Sequence, residues 1–505
     1  MLFNSYIFIF GFLPIVFFVF FSVGRYSVRF ASLWLAAASV FFYGWWNVRF
    51  VGLLLASVAF NYGAGYVIRI RTLRSDELKA QAKLLLTIAV AGNLALLGYF
   101  KYSNFVLENI SHILNVTWVA TEVILPLGIS FFTFTQIAFL VDSYQGKAKE
   151  YNFAHYLLFV TYFPHLIAGP ILHHKEMMPQ FAKRDTYRIN WDNVAFGLTI
   201  FVLGLAKKVL IADSLGNIAN PVFDAVKSGA HPMMFEAWAG ALAYALQLYF
   251  DFSAYSDMAI GVSLMFNVRL PMNFNSPYQA RNIIDFWRRW HMTLSRFLRD
   301  YLYVPLGGNR HGKVRRYLNI MVTMVLGGLW HGAGWTFIIW GSLHGAYLMI
   351  NHAWRALKAK MGWMGGGAWS NFGAQALTFL AVVIGWVFFR ANSYSSAISL
   401  LHGMMGSNGI SLPASLSDRM SEFLPQQTTI VFSGWFPITR LADLSTIITF
   451  VIGFSIVWVS NNTEIVAERI CRQHRRFYAP IVLGCILGIT LLVMRRISQF
   501  LYFQF

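Results

Sequence analysis

Uninterrupted apolar stretches, each about as long as a bilayer is thick (roughly 17–25 residues for a helix), recur from one end of the chain to the other. They fall near 6–23, 30–48, 51–68, 84–100, 119–140, 153–172, 194–212 and 234–253, then near 317–333, 335–353, 373–390, 443–460 and 479–495. Most read as membrane-spanning helices, separated by short polar loops. Pro126 with Gly128, and Pro164-His165 with Gly169-Pro170, break two of the stretches. Broken backbone at membrane depth is tolerated where it lines a protein cavity.

Two segments depart from the pattern. Residues 281–316, RNIIDFWRRWHMTLSRFLRDYLYVPLGGNRHGKVRR, carry too many charges to span. At helical spacing Asp285, Arg289, Arg296 and Asp300 share one face, and Asp285 to Arg289 is an i,i+4 pair of the favourable order. Trp287, Trp290, Leu294, Phe297 and Leu298 supply apolar contact, so this helix lies at the interface or dips in as a re-entrant element. The Gly307-Gly308-Asn309 turn and the bases Arg310, Lys313, Arg315 and Arg316, with His311, then mark an exposed loop. Residues 395–442 hold Ser, Pro, Gly and scattered charge and read as an extramembrane excursion.

Composition agrees: of 505 residues, 57% are hydrophobic and 12% charged, against about 25% charged in soluble chains. The net charge of +19 is spread over short loops rather than gathered in one patch. Basic cytoplasmic loops account for it, and nucleic-acid binding is not indicated. Arg25 and Arg29 follow the first span, and Arg69, Arg71, Arg74, Lys79 and Lys83 the third, which predicts an outward N-terminus and an inward 69–83 loop. The N-terminal stretch has neither a basic n-region nor a small-residue cleavage site and reads as a retained span. Cys471 and Cys485 offer neither metal spacing nor a disulfide framework.

The chemistry concentrates at two histidines. His331 sits in Gly327-Gly328-Leu329-Trp330-His331-Gly332, and no charged residue occurs from Tyr317 to Ala353. An ionisable group in a transmembrane segment is a functional-site candidate, and imidazole titrates near neutral pH. The competing reading is a hydrogen-bonded packing residue. His291 follows Trp290 on the re-entrant segment, 40 residues earlier, and only a folded return brings it near His331. Such a pair could supply a general base with an orienting or oxyanion-stabilising partner. A metal reading is weak, because no HExxH spacing and no nearby Cys accompany the pair.

A second cluster, Asp251, Ser253, Tyr255 and Asp257, lies at the end of an apolar span. It reads equally as a water-filled funnel or as a structural hydrogen-bond network. His344 and His352 look like packing or interface residues, and Ser295 is a nonspecific hydroxyl. No phosphate loop, Gly-x-Ser-x-Gly elbow or glycosidase carboxylate pair is present. A transporter is the alternative of a different class. The absence of internal repeats and the single deep histidine, in place of a relay of charges, count against it.

The strings LPLGISFFTFTQIAFLVD (125–142), FPHLIAGP (163–170), QLYFDFSAYSDMAIG (247–261), FWRRWHMTLSRFLRDYLYVPLGGNR (286–310) and LGGLWHGAGWT (326–336) resemble the membrane-bound O-acyltransferase (MBOAT) family, in the branch of bacterial alginate O-acetyltransferase membrane subunits. The resemblance covers residues 1–353, as a catalytic membrane core, with 354–505 as C-terminal transmembrane helices. Ala254 departs from it, standing where the family usually has glycine.

The resemblance implies an all-α polytopic membrane fold with re-entrant helices around a central funnel. It makes His331 the catalytic residue and His291 its characteristic companion. Trp290 and Trp330, with Asp251, Ser253, Tyr255 and Asp257, become candidates for contact with substrate. It also implies acetyl-CoA as a cytoplasmic donor and a periplasmic SGNH-type acetyltransferase as partner in the bacterial inner membrane, with no bound cofactor or metal. The acceptor is an exported polysaccharide such as alginate or acetylated cellulose, with peptidoglycan or another cell-wall polymer as the alternative.

Overall fold

A computed structural model describes residues 1–74, 76–116, 123–148, 152–362, 366–417, 430–439, 441, 443–472, 478–494 and 498–501. The helices are α1 (Ile7–Gly24), α2 (Val28–Gly44), α3 (Arg49–Arg74), α4 (Asp76–Leu114), α5 (Ile129–Tyr144), α6 (Phe153–Thr161), α7 (His174–Phe181), α8 (Trp191–Lys227) and α9 (Met234–Met265). After them come α10 (Ile283–Arg289), α11 (Met292–Leu298), α12 (Gly312–His331), α13 (Trp335–Lys360), α14 (Ala368–Arg390), α15 (Tyr394–Met404), α16 (Asp443–Val459), α17 (Thr463–Arg472) and α18 (Tyr478–Val493). The chain is a largely helical, multi-pass membrane protein.

Among the described residues, five helices (α1, α3, α4 from Glu77, α8 and α14) are long and apolar enough to cross a bilayer alone. A sixth span arises if Leu444–Val459 and Thr463–Cys471 are taken together. This is fewer than the apolar stretches of the sequence, for physical reasons. The stretch at 153–172 is helical only to Thr161, where Pro164 and Pro170 end it. The apolar helices Val28–Gly44 and Ala479–Val493 are short. Part of the 119–140 stretch lies outside the described residues, and helix begins at Ile129, behind Gly128 at φ 72°. A side chain on Gly128 would approach the Leu166 carbonyl oxygen to 2.9 Å, so glycine is needed there for both conformation and space.

The chain divides into two compact units. The first comprises Met1–Leu205, Ala254–Asn273 and Thr463–Phe505. Here α3, α4 and α5 pack around Ile68, Ala82, Ala89 and Leu140. The Asn61 and Asn93 side chains exchange two hydrogen bonds, at 3.1 and 2.6 Å, and the Gln136 amide donates to Ser57 Oγ at 2.9 Å. Such polar contacts bind helices together where lipid offers no hydrophobic drive between them.

The second unit comprises Ala206–Ser253 and Phe274–Asn462. Its centre is the α12–α13 hairpin, turned over Gly332-Ala333-Gly334. The two helices approach closely because Gly328 and Gly341 lack side chains: a Cβ on Gly341 would overlap the Met324 carbonyl oxygen, and one on Gly328 that of Phe337. Gly341→Val is therefore expected to separate the hairpin and sharply lower the yield of folded protein, read as the monodisperse fraction after detergent extraction. Wild-type yield would refute the close-packing role. In the 395–442 region, Tyr394–Met404 is helical and Ile410–Ser411 pairs in parallel with Ile430–Val431, while 418–429 lie outside the described residues.

Candidate active site

The 281–316 segment is not one helix. α10 stops at Arg289, Trp290 is extended, and His291 turns into the left-handed region at φ 41°, ψ 54° before α11 begins. The Asp285–Arg289 pair forms as expected, at 2.9 Å. The kink, however, removes Arg296 and Asp300 from the helix that carries that pair. A left-handed conformation costs a non-glycine residue roughly 1–2 kcal/mol, and such strain gathers at sites where surrounding structure enforces it. Here it turns a fully buried imidazole inward.

His331 is the last residue of α12 and is 5% exposed. The fold brings the two histidines together, with ring centroids 6.5 Å apart. As a centroid distance, that separation is too long for a direct ring-to-ring hydrogen bond, which needs about 2.7–3.2 Å between heavy atoms. Aromatic rings enclose the pair. Trp330 lies 4.9 Å from His331 and 6.1 Å from His291, while Trp340 and Phe389 lie 5.1 and 5.2 Å from His331. Phe252 presents its edge to His291 at 4.8 Å. Trp290 stands one ring further out, against Phe274 at 5.1 Å and Trp386 at 4.9 Å. Among the described residues no group of three or more His, Cys, Asp or Glu could hold a metal ion.

The Asp251–Asp257 cluster divides. Asp251 and Ser253 belong to the second unit, Tyr255 and Asp257 to the first. Asp251 pairs with Lys208 at 2.6 Å, both side chains only 2% exposed, and Ser253 accepts a hydrogen bond from Lys207 at 3.0 Å. Lys208 also reaches Asp213 at 2.8 Å. The two lysines open a π-helical turn, Lys207–Ala212, within α8. Tyr255 stacks on Phe3 at 5.0 Å and meets Phe500 edge-on at 4.8 Å, and Asp257 is half-buried beside Gly204. Neither lysine stood out in the sequence. Adjacent charges inside the apolar 194–212 stretch were the available signal.

His344, expected from the sequence to be a packing or interface residue, lies on α13. It is fully buried, 4.8 Å from Trp340 and 5.3 Å from Trp287, and Trp340 in turn contacts His331. Among the described residues, neither His344 nitrogen has a hydrogen-bond partner, nor does the indole N–H of Trp287 or Trp340. The neighbouring Trp386 N–H, by contrast, donates to Tyr278 at 3.1 Å. Leaving a buried polar group unsatisfied costs about 1–3 kcal/mol. His344→Leu is accordingly expected to raise resistance to denaturation while lowering turnover, with His344→Gln restoring part of the turnover. Loss of stability together with activity would instead assign His344 to packing.

Histidines walled in by aromatic rings, in a chain of bilayer-length apolar helices, mark a candidate intramembrane site. Comparison with known proteins gives the chain a family. The profile of the membrane-bound O-acyltransferase family, MBOAT, matches residues 84–391, which include both histidines, and the chain belongs to that family. It is an O-acyltransferase. A peptidoglycan O-acetyltransferase of Helicobacter pylori is 44% identical over 483 residues, covering 89% of each chain. A protein of Pseudomonas aeruginosa named "Probable alginate O-acetylase AlgI" is 43% identical over 409 residues, 80% of this chain and 75% of its own. A teichoic acid D-alanyltransferase of Streptococcus thermophilus is 29% identical over 244 residues, 46% of this chain and 58% of its own.

Proposed function

We propose that this O-acyltransferase takes an acetyl group from acetyl-CoA on the cytoplasmic side of the bacterial inner membrane and delivers it toward the outer face. There a periplasmic SGNH-type acetyltransferase places it on an exported polysaccharide, alginate-like or cellulose. The observation that carries the reading is the enclosed His291–His331 pair, 6.5 Å apart, inside the segment matched to the family.

In the transfer, His331 accepts the proton of the incoming hydroxyl. Its oxygen forms a bond to the thioester carbonyl carbon, the carbon–sulfur bond breaks, and the thiolate leaves and takes up a proton. His291 stabilises charge on the carbonyl oxygen. Trp330 and Trp290 hold the acyl arm. A dry aromatic enclosure strengthens each of these electrostatic contacts.

Peptidoglycan as the acceptor polymer is the second reading. It is favoured by the 89% coverage of both chains in the match to the peptidoglycan enzyme. Purified protein with radiolabelled acetyl-CoA, a periplasmic partner and either polymer tests both. Label on one polymer identifies the acceptor class. Absence of CoA release with either overturns the donor reading.

A further inference from the structure

A polar pocket of about 500 Å³ opens in the second unit, walled by Gln279, Arg281, Asp285, Arg289, Gln375 and Trp458. Small-molecule sites commonly occupy about 300–1,000 Å³. We propose that it seats the nucleotide end of the acyl donor. The inference rests on the reading above that the donor is a soluble nucleotide thioester.

The chemistry of the walls is specific. Arg289 is paired with Asp285 at 2.9 Å. Arg281 is exposed and has no ion-pair partner among the described residues, so one positive charge remains to meet a phosphate. The glutamines supply the opposite functionality. Gln279 Nε2 donates to the carbonyl oxygens of Val457, Trp458 and Ser460 at 3.1, 3.4 and 3.1 Å. Gln375 Nε2 donates to the carbonyl of Tyr278 at 3.3 Å. Backbone carbonyls only accept, so they fix which end of each amide is the donor. Each Oε1 is left as an acceptor with no partner among the described residues, suited to the exocyclic amino group of a base.

Trp458 completes the set. It is 46% exposed, and its ring is supported by Phe454 at 4.8 Å and Phe379 at 6.1 Å. A supported, half-open indole is a stacking platform. An inorganic phosphate or a lipid headgroup phosphate would use Arg281 alone and would gain nothing from two acceptors and an aromatic face. A base linked to phosphate uses all of them.

The location fits a donor that reaches inward. Asp285 and Arg289 lie on α10, whose chain continues through Trp290 into His291, two residues past Arg289. The same segment runs on into the basic 310–316 stretch, which the positive-inside bias reads as cytoplasmic. A donor anchored here by its nucleotide presents its acyl arm along α10 toward the histidine pair.

Steady-state CoA and pantetheine release by the full-length protein tests the proposal, with acetyl-CoA compared against S-acetylpantetheine, which lacks phosphate and base. Arg281→Gln and Trp458→Leu are each expected to raise KM for acetyl-CoA about tenfold, the equivalent of one charge-assisted contact. kcat, and both constants for S-acetylpantetheine, should remain at wild-type values. Adenosine 3′,5′-bisphosphate should compete with acetyl-CoA on the wild type and lose potency on both variants. A shift shared by both donors would place the effect in folding or in a lipid contact and overturn the proposal, as would no shift with either. Equal wild-type KM values for the two donors would overturn it while leaving the acetyl-CoA reading intact. No wild-type turnover of either donor would overturn both.

Discussion

His331→Ala should abolish acetyl transfer while leaving the protein inserted and folded. The imidazole ends α12 at the tip of the α12–α13 hairpin, and that helix pair is held by Gly328 and Gly341 rather than by His331. Truncating it removes the group that accepts the hydroxyl proton. It should lower turnover by about 10²–10⁴-fold, the usual contribution of a positioned general base. The measurement is CoA release per mole of protein, with the monodisperse yield after detergent extraction as the control for folding. His291→Ala should move in the same direction by less, since its ring stabilises charge instead of moving the proton. The two losses should not add if the rings act as one unit across their 6.5 Å gap. A stably expressed His331→Ala protein with normal acetylation would remove His331 from the chemistry.

The sequence made the hairpin legible because residues 317–353 contain no Asp, Glu, Lys or Arg, so periodicity, length and the glycine pair all point to two apolar helices with His331 between them. It made the broken stretch at 153–172 legible through its prolines. It did not reveal the kink at His291. The run from Ile283 to Leu298 keeps helical spacing throughout, and no Gly or Pro announces the left-handed residue. Tertiary packing against Phe252 and Phe274 accompanies that conformation. Nor did the polar 251–257 cluster show in sequence that Asp251 and Ser253 would meet two lysines while Tyr255 would meet aromatic rings, because those partners are remote along the chain.

The Asp251 end of that cluster sets up the largest effect expected on stability. Lys208 and Asp251 are 2.6 Å apart, each 2% exposed, and Asp213 adds a second carboxylate at 2.8 Å from the same ammonium. Lys208→Ala strips Asp251 of its partner and leaves a carboxylate in a low-dielectric interior. Breaking a buried pair from one side typically costs about 3–5 kcal/mol, enough to unfold a protein of ordinary stability. Asp251→Ala should cost less, because Asp213 still faces Lys208. The double variant, Lys208→Leu with Asp251→Leu, removes both desolvation penalties and should recover most of the loss, since apolar replacement of a buried pair is often neutral or stabilising. Denaturant resistance of the wild type, Lys208→Leu, Asp251→Leu and the double variant in one detergent closes the cycle and measures the coupling directly. If the pair is structural, the double variant should retain acetyl transfer along with its restored stability. A stable double variant that no longer turns over would assign the pair to the substrate path instead. Additive losses, with no recovery in the double variant, would show that the two charges do not interact as their separation requires.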